Sequence, residues 1–371
     1  MNKQKIKTLV CGSTFGQFYL EALKRLSDDF EIVGILSQGS ERSKKCAQYY
    51  DLPMFESIDQ LPPDIDLACV VLRSAVMGGQ GTNLSLQLLE KRIHVIQEHP
   101  VHQDDISKCI KKARQQGVSF MTGDLFIHLP AIKHFATCAK LLFEQQEAVY
   151  IDMAFATQVS FPLIHILLET LPSLRPFKIN QVIKDEGPFQ LVAGILGKIP
   201  FTMRAHNEVN PDDPDNYLHL LHSIIIGFAG GNLSLTDTHG PVIWRPRLHV
   251  PHNKMLGKLT SQENAELSSS SSTILGSATH PTYIDILKHQ WPQAIGQDLK
   301  KMQAFITQNE RMENRGQQEL LCARQWKELT SAIGYPQLRP DAAFRSMDIT
   351  MLQEQALKIS AGMEEQLVPQ P

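Results

Sequence analysis

The sequence predicts an α/β protein in which a doubly wound parallel sheet is followed by an α+β domain with a mainly antiparallel sheet. Strand-like and helix-like segments alternate up to residue 123, and the strand-like segments are continuous apolar runs. Such runs are typical of parallel strands covered by helices on both faces. Beyond residue 123 apolar and polar residues alternate, which is typical of antiparallel strands. We therefore predict two domains, residues 1–123 and residues 124–371.

Each element of the first domain follows from its local pattern. Apolar runs predict the strands, and apolar residues at helical spacing predict the helices between them. The predicted strands are residues 6–11, 31–36, 65–72, 94–97 and 118–121, and the predicted helices are residues 18–26, 41–50, 83–91 and 105–116.

The second domain mixes helices with short strands. A serine tract at about residues 260–280 predicts an exposed flexible loop. Helices are predicted at residues 131–146, 162–171, 217–228 and within 297–333, and strands at 150–159, in several short runs over 178–206, and at 232–235 and 242–250.

Composition excludes several classes of protein. Of the 371 residues, 42% are apolar and 20% charged, which is globular composition. The formal net charge of −3 excludes non-specific electrostatic binding to nucleic acid or anionic membranes. No apolar run reaches the roughly 20 residues that span a bilayer. The amino terminus lacks a signal peptide pattern, and the six cysteines are scattered, so we expect a reducing, cytoplasmic location.

Two clusters of potential metal ligands do not predict a metal site. His219 and His222 are three residues apart on a predicted helix, and His239 follows, but no supporting carboxylate pattern accompanies them. The acidic, proline-containing run at residues 211–215 is better interpreted as a capped helix start than as a calcium loop.

The turn after the first strand reads CGSTFGQFY and resembles a dinucleotide-binding G-x-G-x-x-G turn. Aligning the last glycine on Gly16 leaves Cys11 and Ser13 at the first two glycine positions. The turn lies between an apolar strand and an amphipathic helix, where free N–H groups at the helix start can bind a pyrophosphate. A Rossmann nucleotide site is therefore predicted, with these cofactor contacts: Gly12, Ser13, Thr14, Phe15 and Gly16.

The segment after the second strand predicts which cofactor binds. An NAD site places an acid there for the ribose 2′-hydroxyl. Here the segment reads SQGSERS, with Arg42 suited to a phosphate and Glu41 as the competing acid. We expect Arg42 to dominate and the cofactor to be NADP(H), with these contacts: Ser37, Gly39, Ser40, Arg42 and Ser43.

Residues 65–118 resemble the Gfo/Idh/MocA oxidoreductases, with a strand, a loop, a helix and a strand before an E-K-P motif. This chain departs from the motif, because it reads Glu98-His99-Pro100. A QEHP version resembles a branch of that superfamily, the thiazolinyl imine reductases of siderophore biosynthesis. Three further stretches carry the same resemblance: SQGSERS, LRSAVMGGQGT at residues 72–82, and NPDDPDNYLHLLH with GNLSLTDTHGPVIW at residues 210–244.

The resemblance implies an NADPH-dependent enzyme that reduces the C=N bond of a thiazoline to a thiazolidine. It implies a substrate held as a thioester on a carrier protein of a nonribosomal peptide synthetase, and a homodimer formed through the second domain's sheet. It adds cofactor contacts from the loop after the fourth strand and from the E-H-P motif: Leu72, Arg73, Ser74 and Glu98.

Imine reduction needs a proton donor, and three histidines are candidate catalytic residues. His99 follows the strand where the nicotinamide is expected, and histidine titrates near neutrality. The family pattern has a tyrosine where this chain has Phe126, whereas His128 matches a family histidine. His165 matches the histidine of a D-x-x-x-H motif whose acid is replaced by Phe161. We expect His99 to be the leading proton donor and His165 the reserve.

Two other functions remain open from the sequence. A sugar or cyclitol dehydrogenase of the wider superfamily is disfavoured by the missing lysine and the incomplete D-x-x-x-H motif, since alcohol oxidation needs a base. A non-catalytic NADP-binding regulatory protein is favoured only by Phe126 at the tyrosine position.

Overall fold

The structure is a computed structural model. It describes residues 4–74, 78–184, 187–249, 269–277, 281–308, 313–340 and 346–367. Most of the predicted serine-rich loop at about residues 260–280 lies outside the described residues. Its described part contains a short strand, Thr273–Leu275.

A six-stranded, all-parallel sheet forms the first domain, with strand order β3-β2-β1-β4-β5-β6. The order reverses between β1 and β4, where doubly wound sheets bind ligands. The strands are β1 Ile6–Cys11, β2 Phe30–Leu36, β3 Met54–Phe55, β4 Leu67–Val70, β5 His94–Glu98 and β6 Phe120–Gly123, and the helices are α1 Gly16–Arg25, α2 Glu41–Tyr50, α3 Gly81–Glu90 and α4 Gln103–Gln116.

The predicted parallel sheet is confirmed, and the reason is visible in its burial. All four residues of β4 and nearly all of β1 are buried, because helices cover both faces of the sheet. Only β3 was not predicted, since it is a two-residue edge strand with no pattern to detect.

The second sheet has eight strands in the order β15-β14-β13-β12-β7-β10-β9-β8. All neighbours are antiparallel except β7 and β10, so the predicted mainly antiparallel sheet is confirmed. Helices α5 and α6 pack against one face of this sheet. The elements are α5 Pro130–Phe143, β7 Ala148–Ala156, α6 Ser160–Thr170, β8 Phe177–Ile183, β9 Phe189–Leu196, β10 Ile199–His206, β11 Glu208–Val209, β12 His222–Phe228, β13 Gly231–Leu235, β14 Val242–Pro246 and β15 Thr273–Leu275.

The helix predicted at residues 217–228 is wrong. Residues 222–228 form β12, and its central position between β7 and β13 explains the error. Its sequence, HSIIIGF, places isoleucines on both faces of the sheet, and periodicity cannot distinguish such a continuous apolar run from a buried helix. His219 and His222 therefore do not share a helix; His219 lies in the loop before β12.

Two of the C-terminal helices, α8 and α9, pack against the first domain, and α9 also packs against the second. Trp291, at the start of α8, packs against Phe15 and Phe18 of the first domain. Helix α9 contacts both α4 and α6. The elements are α7 Tyr283–Asp285, continued by a π-helical turn at Ile286–Gln290, then α8 Trp291–Gln308, α9 Glu313–Ile333, β16 Gln337–Leu338 and α10 Thr350–Leu367.

No helix in the described part of the chain is both long enough and apolar enough to cross a membrane.

Candidate active site

The predicted nucleotide turn joins β1 to α1 at the switch point of the first sheet. Gly12 has a φ of +102°, and a Cβ atom there would lie 2.6 Å from the carbonyl oxygen of Val71. No side chain caps the start of α1, and its first turn holds no acidic residue. No side chain competes for the N–H groups at its start, which can therefore bind an anion, as a pyrophosphate-binding turn requires.

Four serines link this turn to the start of α2. The Ser43 hydroxyl lies 2.6 Å from that of Ser37, 2.8 Å from that of Ser40 and 2.9 Å from that of Ser13. Ser40 also caps α2 by accepting a hydrogen bond from the Ser43 N–H. Because Ser43 is only 2% exposed, its side chain orients the other serines rather than lying open to a ligand. A direct cofactor contact by Ser43 stays a prediction.

Arg42 is exposed at the start of α2, and the salt bridges of the described residues do not include it. The competing acid, Glu41, instead lies 3.1 Å from Lys44 on the helix surface. Gly39 precedes the helix with a φ of +76°, a conformation that favours glycine. An unpaired guanidinium beside a capped helix start fits a phosphate better than a ribose hydroxyl.

The loop after β4 lies beside this turn. The Leu72 side chain is partly exposed and lies against the Gly12 position. Arg73 reaches Asp215 of the second domain, at 3.6 Å. Ser74 is buried and donates a hydrogen bond of 2.6 Å to the carbonyl oxygen of Pro100, which joins the ends of β4 and β5.

Further along the carboxyl edge of the first sheet, Glu98 ends β5 and is largely buried. The Tyr19 hydroxyl of α1 donates a hydrogen bond of 2.5 Å to its Oε2 atom. Burial raises the pKa of Glu98 to about 8, with the charges of Asp298 and Asp124 adding to the effect and the Tyr19 hydrogen bond opposing it. Glu98 therefore carries its proton at neutral pH in this state.

His99 lies between two phenylalanine rings. Its ring stacks on Phe161 at 5.4 Å between centroids and lies 6.0 Å from the ring of Phe126. Burial lowers its pKa to about 4, so the neutral imidazole predominates at neutral pH. The expectation that His99 titrates near neutrality is therefore wrong, because the sequence does not reveal how far the two rings desolvate it.

His165 has an acid partner, but from an unexpected element. Its Nδ1 atom lies 2.6 Å from the Asp124 carboxylate, which follows β6. The motif acid missing at residue 161 is thus supplied by another part of the chain. Burial lowers the pKa of His165, but Cys322 and Asp124 outweigh that effect and raise it to about 10. His165 and not His99 is the charged imidazole at neutral pH.

His128 and Phe126 lie on the short 3₁₀ turn after β6. The Nε2 atom of His128 lies 3.0 Å from Asp298 of α8, and Asp298 also accepts a hydrogen bond of 2.7 Å from the Asp124 N–H. His128 thus helps to hold α8 against the turn. Phe126 is 7% exposed and packs beside His99, without any group that donates a proton.

His222 has a structural role. Its two ring nitrogens lie 2.9 Å from the Thr238 hydroxyl and 2.8 Å from the Val159 carbonyl oxygen, so both are occupied. Across the described residues, no group of three or more histidine, cysteine or acidic side chains is placed to hold a metal ion.

We call the surroundings of Glu98, His99 and His165 the reaction end. Three of its residues were not predicted as site residues: Tyr19, Asp124 and Asp298. Asp124 follows a parallel strand at the ligand-binding edge, so its position could have indicated it. Asp298 gave no such signal, because it lies 174 residues from its partner Asp124.

Two family models match the chain. Residues 6–124 match the Gfo/Idh/MocA model, described as an oxidoreductase family with an NAD-binding Rossmann fold. Residues 146–245 match the C-terminal domain of the thiazolinyl imine reductase Irp3-like family. No curated protein sequence matches the chain.

Solved structures show the same two-domain fold at low sequence identity. GenD2 from gentamicin A biosynthesis, in complex with NAD, is 10% identical with a TM-score of 0.62, over 90% of this chain and 95% of that chain. An Agrobacterium radiobacter oxidoreductase with NAD⁺, L-tartaric acid and magnesium is 11% identical with a TM-score of 0.62, over 89% and 97%. KijD10, a 3-ketoreductase from Actinomadura kijaniata in complex with NADP, is 13% identical with a TM-score of 0.61, over 90% and 99%.

The fold and the first-domain match define an NAD(P)-binding oxidoreductase. Within that class residues 6–124 match the Gfo/Idh/MocA family, and residues 146–245 match the C-terminal domain of the thiazolinyl imine reductase Irp3-like family. The glycine turn and the uncapped start of α1 fit the dinucleotide that this family binds.

Proposed function

We propose that this enzyme uses NADPH to reduce the C=N bond of a carrier-bound thiazoline to a thiazolidine during nonribosomal siderophore biosynthesis. The observation that carries this proposal is the match of residues 146–245 to the thiazolinyl imine reductase C-terminal domain. In the same chain His99 takes the lysine position of the E-K-P motif and Phe161 takes the acid position of D-x-x-x-H.

The chemistry of the reaction end is consistent with imine reduction. The reaction adds a hydride to carbon and a proton to nitrogen, and the reduced nicotinamide supplies the hydride when bound. Phe161 and Phe126 form an apolar wall around His99, which limits water access. His99 would hydrogen-bond the imine nitrogen, and Phe126 would contribute shape alone.

NADPH is the proposed cofactor because of the start of α2. Arg42 is exposed and without an ion pair in the described parts of the chain, and Ser37, Ser40 and Ser13 hold one another through Ser43. Glu41, which would favour NADH, pairs with Lys44. A guanidinium and a helix start are the groups that a 2′-phosphate prefers.

A sugar dehydrogenase or ketoreductase is the second candidate, and the observation that favours it is the His165–Asp124 pair. Together these residues restore the acid and histidine of the D-x-x-x-H motif, although on different elements. However, the raised pKa of His165 keeps it protonated at neutral pH, and a protonated histidine cannot act as the base for alcohol oxidation.

Two partners belong to this proposal. One is the carrier protein that presents the thiazoline thioester, and the other is a second copy of this chain. The outer face of the second sheet exposes apolar side chains such as Leu191 and Tyr150, which favours pairing of two such sheets. Measuring the mass in solution of the wild type and of Leu191→Arg tests the dimer, since the variant should be monomeric.

The substrate is tested by following NADPH oxidation with a synthetic thiazoline thioester and, in parallel, with a panel of sugars and keto-sugars. We expect turnover only with the thioester, and a product that has gained two hydrogens by mass spectrometry. Turnover of a sugar without reduction of the thiazoline would replace this function with the second candidate.

A further inference from the structure

We propose that Glu98 is the proton reservoir of the reaction, and that His99 passes its proton to the substrate while remaining a neutral imidazole. This inference rests on the proposed function, because it takes the imine nitrogen as the final proton acceptor. It assigns Glu98 a role in proton supply in addition to any contact with the cofactor.

The three groups of this relay are adjacent. The Tyr19 hydroxyl is hydrogen-bonded to one Glu98 oxygen at 2.5 Å, and the other Glu98 oxygen lies 3.4 Å from the Nε2 atom of His99. Tyr19 is 1% exposed, so the hydrogen-bonded oxygen of Glu98 is shielded from water. The Glu98 carboxyl therefore has His99 as its neighbour on the side away from α1.

The two ring nitrogens of His99 differ. Nε2 is completely buried and has no hydrogen-bond partner, and it faces Glu98. Nδ1 is not among these buried, unpartnered atoms, and no hydrogen bond to it is found within the described parts of the chain. The side chain as a whole is 11% exposed. One nitrogen is thus placed to receive a proton from inside, and the other to deliver one outward.

The charge states fit this direction of transfer. Burial raises the pKa of Glu98 to about 8 and lowers that of His99 to about 4. At neutral pH the proton therefore lies on the carboxyl, and the imidazole is neutral. The other titratable groups that face this pair are Tyr19 on α1, Cys69 on β4, Asp124 after β6, His165 on α6 and Asp298 on α8.

The transfer balances in a single step. The hydride adds to the imine carbon, and the C=N π electrons form a bond to the Nδ1 proton. The Nδ1–H bond breaks as Nε2 takes the Glu98 proton, so the imidazole ends neutral with its tautomer reversed. Glu98 is left as a carboxylate, and the resting state returns when Nδ1 takes a proton from solvent and Nε2 gives its proton back to Glu98.

The variant Glu98→Gln tests the relay, because it keeps the shape and the Tyr19 contact but removes the transferable proton. We expect wild-type turnover to fall as pH rises through about 8, because the carboxyl is then ionised. In Glu98→Gln turnover should drop by about 10²-fold or more, and this alkaline limb should disappear. Persistence of the limb at an unchanged pH in Glu98→Gln would overturn the proposal.

Two further variants sharpen the test. Tyr19→Phe removes a hydrogen bond that lowers the Glu98 pKa, so the alkaline limb should move to higher pH. Glu90→Gln is the matched control, since Glu90 is an exposed carboxylate paired with Lys112. It should leave both turnover and its pH dependence unchanged.

A readout independent of turnover separates this inference from the proposed function. Infrared difference spectra of the cofactor-free protein should show a protonated carboxyl that ionises near pH 8 and is missing in Glu98→Gln. Absence of that titration overturns the reservoir even if the thiazoline is reduced. If the titration is present but the thiazoline is not reduced, the proposed function fails and the protonated Glu98 stands.

Discussion

The two ends of the proposed cofactor cleft are built in different ways. At the nucleotide end, the turn after β1 and the start of α2 present hydroxyls, N–H groups and an exposed guanidinium within a short stretch of chain. At the reaction end, β5, β6, α6 and α8 bring together buried acids and imidazoles. The nucleotide end is suited to bind an anion through hydroxyls, N–H groups and an exposed guanidinium. At the reaction end, the burial of the acids and imidazoles determines which of them carry a proton.

Burial is also what separates the pKa values of the two histidines at the reaction end. Exposed charges are screened by water, but buried ones depend on each neighbour. Cys322 and Asp124 outweigh burial and raise the pKa of His165, whereas burial prevails at His99 and lowers its pKa, so the two histidines differ in charge at neutral pH. Substitutions at the reaction end should consequently have larger effects than those at the nucleotide end.

The largest effect is expected for His99→Ala, which removes the group that contacts the imine nitrogen. Turnover should fall by about 10²–10⁴-fold, while NADPH affinity measured by fluorescence titration stays near wild type. His102→Ala is the control, because His102 caps α4 and lies outside the relay. A loss of only a few-fold in His99→Ala would leave His99 as a group that orients the substrate.

The next effect is expected on stability, for Asp124→Asn. Removing one partner of a buried ion pair leaves the other charge uncompensated, which costs about 3–5 kcal/mol in the free energy of unfolding. Glu41→Gln breaks an exposed pair instead and should change it by at most about 1 kcal/mol. Equal effects of the two substitutions in chemical denaturation would contradict the difference between the two ends.

The Asp124–His165 pair should also make the free energy of unfolding depend on pH. The pKa of His165 is raised from 6.5 to about 10, so the stability it contributes is complete below pH 6.5 and is lost as pH rises towards 10. In Asp124→Asn this decline in unfolding free energy should be much smaller. An unchanged decline would show that another group causes it.

A smaller and more selective effect is expected at the nucleotide end. Arg42→Ala should weaken NADPH binding by about 1.5–3 kcal/mol, the scale of a charge-assisted contact, and leave NADH binding nearly unchanged. Lys44→Ala, on the same helix, removes a charge that already pairs with Glu41 and should affect neither cofactor strongly. Equal losses for NADPH and NADH in Arg42→Ala would remove Arg42 from this role.

The smallest effect is expected where the two domains meet at the surface. Arg73 and Asp215 are mostly exposed and lie 3.6 Å apart, so Arg73→Ala should lower the free energy of unfolding by less than about 1 kcal/mol. A double-mutant cycle with Asp215→Ala measures the coupling. A coupling well above that value would mean that this contact closes the cleft.

The sequence predicted features that depend on local patterns and missed those that depend on contacts between distant elements. The strands of the first sheet and the turn at Gly12 follow from local patterns, so they were predicted closely. Strand β12 was mistaken for a helix because isoleucines on both of its faces hide the alternation of a strand. The Asp124–His165 pair was missed because its members lie on different elements, and the pKa of His99 depends on how Phe161 and Phe126 enclose it.

Hydride transfer from NADPH to a thiazoline carbon can be followed with labelled cofactor. The enzyme is incubated with NADPH carrying deuterium at the transferring position and a thiazoline thioester, and the product is examined by mass spectrometry and NMR. We expect one deuterium, on the former C=N carbon of the thiazolidine. The proposed function is contradicted if the thiazoline is recovered intact and unlabelled while a keto-sugar in a parallel reaction gains the deuterium.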